Sequence, residues 1–173
     1  MQPLLGGRTV GAQAVVVDDS GRVLLQLRLW PAGWEPPGGH VASGEDPAAA
    51  VVRETEEETG LRIEVVRLIG RYRFNGIRRG TDAVFRARAV GGALTATREA
   101  HRLVWSDPER LPRSLFPWYR ARIGDALGAV GPEVVERIQH VGPADVLKHG
   151  LALTADLGGY LAAVIRRPPA SSA

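Results

Sequence analysis

Glutamates are concentrated at the end of one segment of this chain, where Glu54, Glu56, Glu57 and Glu58 follow one another closely. Glu54, Glu57 and Glu58 stand at positions i, i+3 and i+4, so they share one face if the segment is helical. Like charges at this spacing repel, and a divalent cation on that face would turn the repulsion into attraction. Mg2+ prefers oxygen ligands and is commonly held by one or two carboxylates together with substrate phosphates. We therefore predict a metal site on this face, and a solvated acidic surface is the alternative.

A capped helix is predicted to carry these glutamates. Asp46 is a suitable N-cap, Pro47 suits the first helical position, and Gly60 can turn left-handed just after the helix. The helix should therefore run from Pro47 to Thr59, with the glutamates in its last two turns. The helix dipole disfavours anions at that end, so helix stability alone does not account for them.

The segment 39–61 resembles the Nudix box, a pattern of glycine, glutamate and arginine at fixed gaps. All fixed positions match, namely Gly39, Glu45, Arg53, Glu54, Glu57, Glu58 and Gly60, followed by the apolar Leu61. The one departure is Thr55, where the family usually has an aliphatic residue. We expect Thr55 to face the core, so the departure should affect packing rather than chemistry. The preceding turn at 36–39 resembles the family's Pro-Gly-Gly turn, whose glycines let backbone atoms approach a metal or phosphate.

The resemblance implies both a fold and a reaction. The implied fold is α/β, a Nudix-type α/β/α sandwich with a mixed β-sheet, over residues 8–128. The implied reaction is metal-dependent hydrolysis of a nucleoside diphosphate linked to another group. Mg2+ or Mn2+ is the implied cofactor, and a small nucleotide diphosphate is the implied partner.

The same resemblance implies roles for individual residues. The implied metal ligands are Glu54, Glu57, Glu58 and Gly39. Arg53 and Glu45 are implied to hold the catalytic Glu54 in place. Glu99 precedes a short strand with a tryptophan, as does a family glutamate that approaches the metal or acts as the base. An ordinary loop carboxylate is the alternative for Glu99, and whether Glu54 or Glu99 is the base stays open.

Basic residues outside the box are candidates for binding phosphate. His40 follows the two glycines and could reach a phosphate, although a surface histidine is at least as common there. Arg71 and Arg73 share one face of a predicted strand and could bind phosphates with both guanidinium nitrogens. We favour a solvated sheet face for these arginines. Trp34 could stack on a base, but core packing is favoured.

The substrate and the rival functions are only partly constrained by the sequence. ADP-ribose hydrolases of the family carry a proline after the box, and this chain has Asn75-Gly76-Ile77 in that region, so that substrate loses support. A non-catalytic nucleotide-sensing domain often lacks box glutamates, and all are present here. An isoprenoid-diphosphate isomerase would need an active-site cysteine, and the chain contains none.

Composition limits the class of protein but does not indicate a function. The chain has 173 residues, a net charge of +3 and a sequence pI of about 9.9. This mild, dispersed basicity suits anionic substrates and does not favour nucleic-acid binding. Neither a secretory signal nor a membrane-spanning run is evident, so we expect a cytoplasmic protein. A homodimer is compatible with the sequence.

The pattern along the chain predicts strands, a second helix and an extension. Predicted strands cover 9–17, 22–29, 63–75, 81–90 and 103–106, the first two as a hairpin, and a helix covers 117–127. Residues 129–173 form an extension that is predicted to be helical from Gly131-Pro132, with a second helix marked by Leu153, Leu157, Leu161 and Ile165 and a frayed end. This extension could pack on the domain, pair with a second subunit or shape the substrate pocket, and packing is favoured.

Overall fold

The computed structural model describes residues 9–97, 100–128 and 133–165. Its strands are β1 Thr9–Val16, β2 Val23–Leu29, β3 Ala32–Glu35, β4 Gly38–His40, β5 Leu61–Gly76, β6 Gly80–Gly92, β7 Ala100–Ser106 and β8 Val135–Val141. Its helices are α1 Pro47–Thr59, α2 Pro117–Gly128 and α3 Pro143–Ile165, with a single 3-10 turn at Pro108–Arg110. None of the helices within these ranges is long and apolar enough to cross a membrane.

The strands form two sheets. The larger is mixed, in the order β4-β1-β6-β5-β8, with β1 parallel to β6 and β5 parallel to β8. The smaller is antiparallel, in the order β3-β2-β7. The α/β fold with a mixed sheet and a C-terminal helix is therefore confirmed.

The predicted hairpin between the first two strands is wrong. Its turn does form, since the Asp18 carboxylate accepts bonds from the backbone of Ser20 and Arg22. Beyond the single bridge between Val17 and Val23, however, β1 and β2 belong to different sheets. The reason is that β1 is buried and forms hydrogen bonds with β4 on one side and β6 on the other.

Two apolar clusters fill the opposite faces of the larger sheet. Ala12, Ala14 and Val16 of β1 belong to the cluster that contains Val51 of α1, whereas Val15 belongs to the cluster that contains residues of α2. This alternation follows from the two-residue period of a strand and places α1 and α2 on opposite faces. Trp34 packs in the second cluster, and Thr55 is completely buried, as expected.

The first part of the extension is a strand, so the helix predicted there is wrong. β8 pairs in parallel with Gly70–Gly76 of β5, which offers an open edge of backbone donors and acceptors. Its β-branched residues Val135, Ile138 and Val141 suit a strand. The later helix is present as α3, which begins at Pro143, while Gly131, Pro132 and the predicted frayed end lie outside the described residues.

Candidate active site

Local signals in the sequence fix the position of α1. The Asp46 carboxylate accepts a hydrogen bond from Ala48 N at 2.8 Å, and Gly60, at φ 74°, donates its N–H to Glu56 O. The helix therefore ends where the glutamates stand. Their exposures differ: the Glu57 side chain is 61% exposed, Glu54 is 16% exposed, and Glu58 is buried.

Arg53 connects the carboxylates at this end of the helix. Its Nε donates to Glu45 Oε1 at 3.0 Å and its Nη2 to Glu45 Oε2 at 3.1 Å. Its Nη1 donates to Glu54 Oε1 at 2.8 Å and to Glu57 Oε2 at 3.4 Å. The hydrogen bonds from Arg53 and from the Ala42 backbone keep the pKa of Glu45 below its usual value. The arginine thus orients Glu54 while Glu45 anchors the arginine.

Glu54 lies directly against the backbone of β4. A Cβ atom added to Gly39 would lie 2.5 Å from Glu54 Cδ and closer still to Oε2. Real Cβ contacts are essentially never that short, so any residue other than glycine at position 39 would force the Glu54 carboxylate to shift. This is the close approach that the two glycines of the turn predict.

Glu58 turns inward and is held by neutral donors. Its Oε2 accepts bonds from Gly38 N at 2.9 Å and from Gln26 Nε2 at 2.8 Å. Burial raises the pKa of Glu58 to about 7, and the nearby charge of Glu35 adds to the rise, whereas the hydrogen bonds and Arg28 oppose it. Charging this carboxylate is therefore costly unless a cation comes close.

A second carboxylate, Glu35, lies behind Glu58. Glu35 Oε1 accepts from Arg28 Nη1 at 3.1 Å, and Glu35 Oε2 accepts from the Tyr119 hydroxyl at 3.0 Å. Burial is the largest influence and raises the pKa of Glu35, against the opposing effect of Arg28. Sequence reasoning missed Gln26, Arg28, Glu35 and Tyr119. A signal existed for Gln26, which interrupts the apolar run of β2.

A cavity of about 730 Å3 opens beside these groups. Glu54, Glu58, Gly39 and His40 line it among other residues, so the structure brings these four predicted residues together. Glu57, Arg71 and Arg73 are not part of its lining: Glu57 faces solvent, and the two arginines stand on β5 between β6 and β8. Glu99 lies outside the described residues.

A NUDIX domain family model matches residues 7–126. This chain belongs to the NUDIX family. The match covers the box and both apolar clusters of the core. Membership of the family identifies this protein as a Nudix hydrolase, an enzyme that acts on phosphoric anhydrides. The match to the family model ends at residue 126, before β8 and α3, so the extension lies outside the matched region.

Relatives support the same assignment. This Nudix hydrolase is 36% identical to a MutT-like protein of Streptomyces ambofaciens over 126 residues, which cover 73% of this chain and 81% of that protein. It is 33% identical to a candidate 8-oxo-dGTP diphosphatase of Bacillus subtilis over 68% of this chain and 78% of that protein. The crystal structure of a MutT Nudix hydrolase from Burkholderia pseudomallei is 29% identical, with a TM-score of 0.60 over 71% of this chain and 98% of that one.

The chemistry of the donor set at the end of α1 suits a hard divalent cation. Glu54, Glu57, Glu58 and the backbone of Gly39 offer only oxygen ligands, which Mg2+ and Mn2+ prefer. Glu58 is a buried carboxylate to which no arginine or lysine of the described residues is hydrogen-bonded, so a cation would favour its charged form. Among the described ranges, no three acidic or histidine side chains are gathered closely enough to hold a metal. Here Arg53 holds Glu54 and Glu57 instead.

Proposed function

We propose that this Nudix hydrolase cleaves a nucleoside diphosphate linked to another group, with Mg2+ or Mn2+ as cofactor. The observation that carries the proposal is the position of Glu54 in the lining of the cavity, which Glu58 also lines. Arg53 orients the Glu54 carboxylate, and Gly39, which lacks a side chain, leaves space for it. The cavity is large enough for a nucleotide, because small-molecule sites commonly measure ~300–1,000 Å3. The B. subtilis relative, with a nucleotide in its name, is consistent with this substrate class.

Glu54, Glu57, Glu58 and Gly39 are proposed to hold the ion. When bound, the ion offsets the negative charge of the diphosphate, polarises phosphorus and helps ionise water. Glu45 and Arg53 keep the Glu54 carboxylate in one orientation, which removes the entropy cost of placing it during the reaction.

The hydrolysis itself needs a base and a site for the phosphates. A water oxygen bonds to phosphorus, the bond from phosphorus to the bridging oxygen breaks, and the water proton passes to a carboxylate, Glu54 or Glu99. His40 and the partly buried Arg28 line the cavity beside the glycine turn and are proposed to face the phosphates. Arg71 and Arg73 are no longer proposed for this role, since neither lines the cavity.

A substrate panel tests the proposal. Nucleoside triphosphates, dinucleoside polyphosphates and nucleoside diphosphate sugars would be incubated with Mg2+, Mn2+ or EDTA, and mononucleotide and phosphate release would be measured. Cleavage of at least one compound with metal, and of none in EDTA, is expected. Running the active reaction in H2(18)O would identify the attacked phosphorus, since the label enters the product formed by water. A panel that is bound but never cleaved would support a nucleotide-sensing domain instead.

Two further sequence-based expectations stay predictions. The first is the homodimer that the sequence allows. Light scattering of the purified protein would measure the oligomeric state. A cytoplasmic location would be tested by fractionating the cells that produce the protein.

A further inference from the structure

The C-terminal extension contributes to the wall of the cavity. Asp145, Val146 and His149 of α3 line it, together with Asp82 and Trp118 from the matched region. α3 is tied to the domain at a second point, where Ser114 N donates to Asp156 Oδ2 at 2.8 Å. These α3 residues follow the end of the family match, so any role they have belongs to this chain's own extension.

The His149 ring is positioned by a stacking contact and by one hydrogen bond. Its ring stacks on Phe116 with centroids 4.1 Å apart and planes 19° apart. A Cβ atom at Gly33 would come within 2.7 Å of the ring, so glycine is what lets the ring lie there. His149 Nε2 lies 2.7 Å from Ala32 O, and because a carbonyl only accepts, Nε2 carries the proton. In the neutral ring Nδ1 is then an acceptor, and it is buried with no partner in the described part of the chain.

Asp82, which also lines the cavity, carries a second buried acceptor without a partner among the described residues. Its Oδ2 accepts a hydrogen bond from Nη1 of the fully buried Arg122 at 2.9 Å and forms a salt bridge with Arg78 Nη2 at 3.5 Å. Its Oδ1 is buried with no hydrogen-bond partner from residues 9–97, 100–128 or 133–165. Oδ1 lies so close to Gly11, itself a cavity residue, that a Cβ there would collide with it. A buried acceptor without a donor costs free energy, so a ligand donor is the natural partner.

We propose that the part of the cavity closed by α3 is a nucleobase subsite in which His149 and Asp82 determine specificity. The inference rests on the proposed function, because the base belongs to the nucleotide whose diphosphate is cleaved. His149 Nδ1 and Asp82 Oδ1 accept hydrogen bonds from N–H groups of the base. The ligand class is therefore an amino-bearing nucleobase.

Equilibrium binding of reaction products tests the subsite without requiring turnover. Calorimetry in EDTA would compare AMP with purine riboside 5′-monophosphate, which lacks the amino group, with 2′-deoxy-AMP and with ribose 5-phosphate. One hydrogen bond contributes about 1 kcal/mol, so wild type should bind AMP about fivefold more tightly than the analogue without the amino group. A preference that follows the 2′-hydroxyl rather than the amino group would overturn the base assignment.

His149→Phe keeps a stacked ring and removes both nitrogens. It should weaken AMP binding about fivefold and leave ribose 5-phosphate binding unchanged, while the matched change His140→Phe on β8, outside the cavity, should alter neither. Equal weakening of AMP and ribose 5-phosphate, or no weakening, would show that His149 only packs. Melting temperatures would be measured alongside.

Asp82→Asn gives a test in which the sign of the preference changes. Arg122 can only donate, so the amide oxygen must face it and the amide nitrogen must replace Oδ1. The preference for AMP over the analogue without the amino group should then disappear or invert. If this variant does not fold, the His149→Phe comparison alone decides. If wild type hydrolyses no compound of the substrate panel, the proposed function is refuted, and these binding results can still be interpreted.

Discussion

Gly39→Ala should lower activity while leaving the fold intact. The new Cβ would lie 2.5 Å from Glu54 Cδ, whereas ordinary contact begins at 3.4 Å, so the carboxylate must retreat. A displacement of roughly 1 Å in a positioned group can cost about 100-fold in rate. By the tenfold rule this is about 2.7 kcal/mol of transition-state stabilisation. The backbone should tolerate alanine, because Gly39 is not among the glycines with positive φ.

The control is Gly124→Ala, the same change on α2 at a glycine with open space around it. It should keep full activity and gain up to about 1 kcal/mol of stability from helix propensity. Steady-state kcat/KM with Mg2+ and thermal melts would be measured for both variants. If Gly39→Ala stays within threefold of wild type while folded, Glu54 does not need its place against β4, and the account of its positioning is wrong.

Three further predictions concern the glutamates. Glu58→Gln should flatten the pH dependence of stability without metal. Because burial raises the pKa of Glu58 in the folded protein from its usual 4.5 to about 7, wild type should lose up to about 3 kcal/mol of unfolding free energy as pH rises from 4.5 through 7. Denaturant titration would measure this loss, and an equal loss in the variant would contradict the prediction. Glu57→Gln should remove most turnover at low Mg2+, and near-normal rates would exclude Glu57 as a ligand. Glu99→Gln should slow the reaction tenfold or more, and an unchanged acid limb of its pH–rate profile would show that Glu99 is not the base.

Local sequence signals predicted the helix of the box and its cap. Asp46, Pro47 and Gly60 act on backbone groups within a few residues, so α1 follows from the sequence without knowledge of its neighbours. The pairing of β1 with β6 and the strand β8 depend on open edges provided by distant segments. A local pattern carries no information about those edges, which explains the wrong hairpin and the wrong helix.

The candidate site divides in the same way. Glu54, Glu58 and Gly39 could be assigned from fixed gaps along one segment. The set of Gln26, Glu35, Asp82 and His149 comes together only through the packing of the two sheets and α3, at separations that no motif spans. Arg71 and Arg73 show the limit of a local pattern, since a strand pattern gives the face of a residue but not its distance from the cavity.

The most direct test of metal-dependent hydrolysis at this site compares two neighbouring glutamates on α1. The kcat/KM of Glu54→Gln and of Glu56→Gln would be measured with Mg2+ on a substrate that wild type cleaves. Glu56 is exposed and lies off the shared face, so its variant should match wild type. Glu54→Gln should lose at least about 100-fold, in line with loss of a positioned catalytic carboxylate. Equal activity of the two variants would contradict the account.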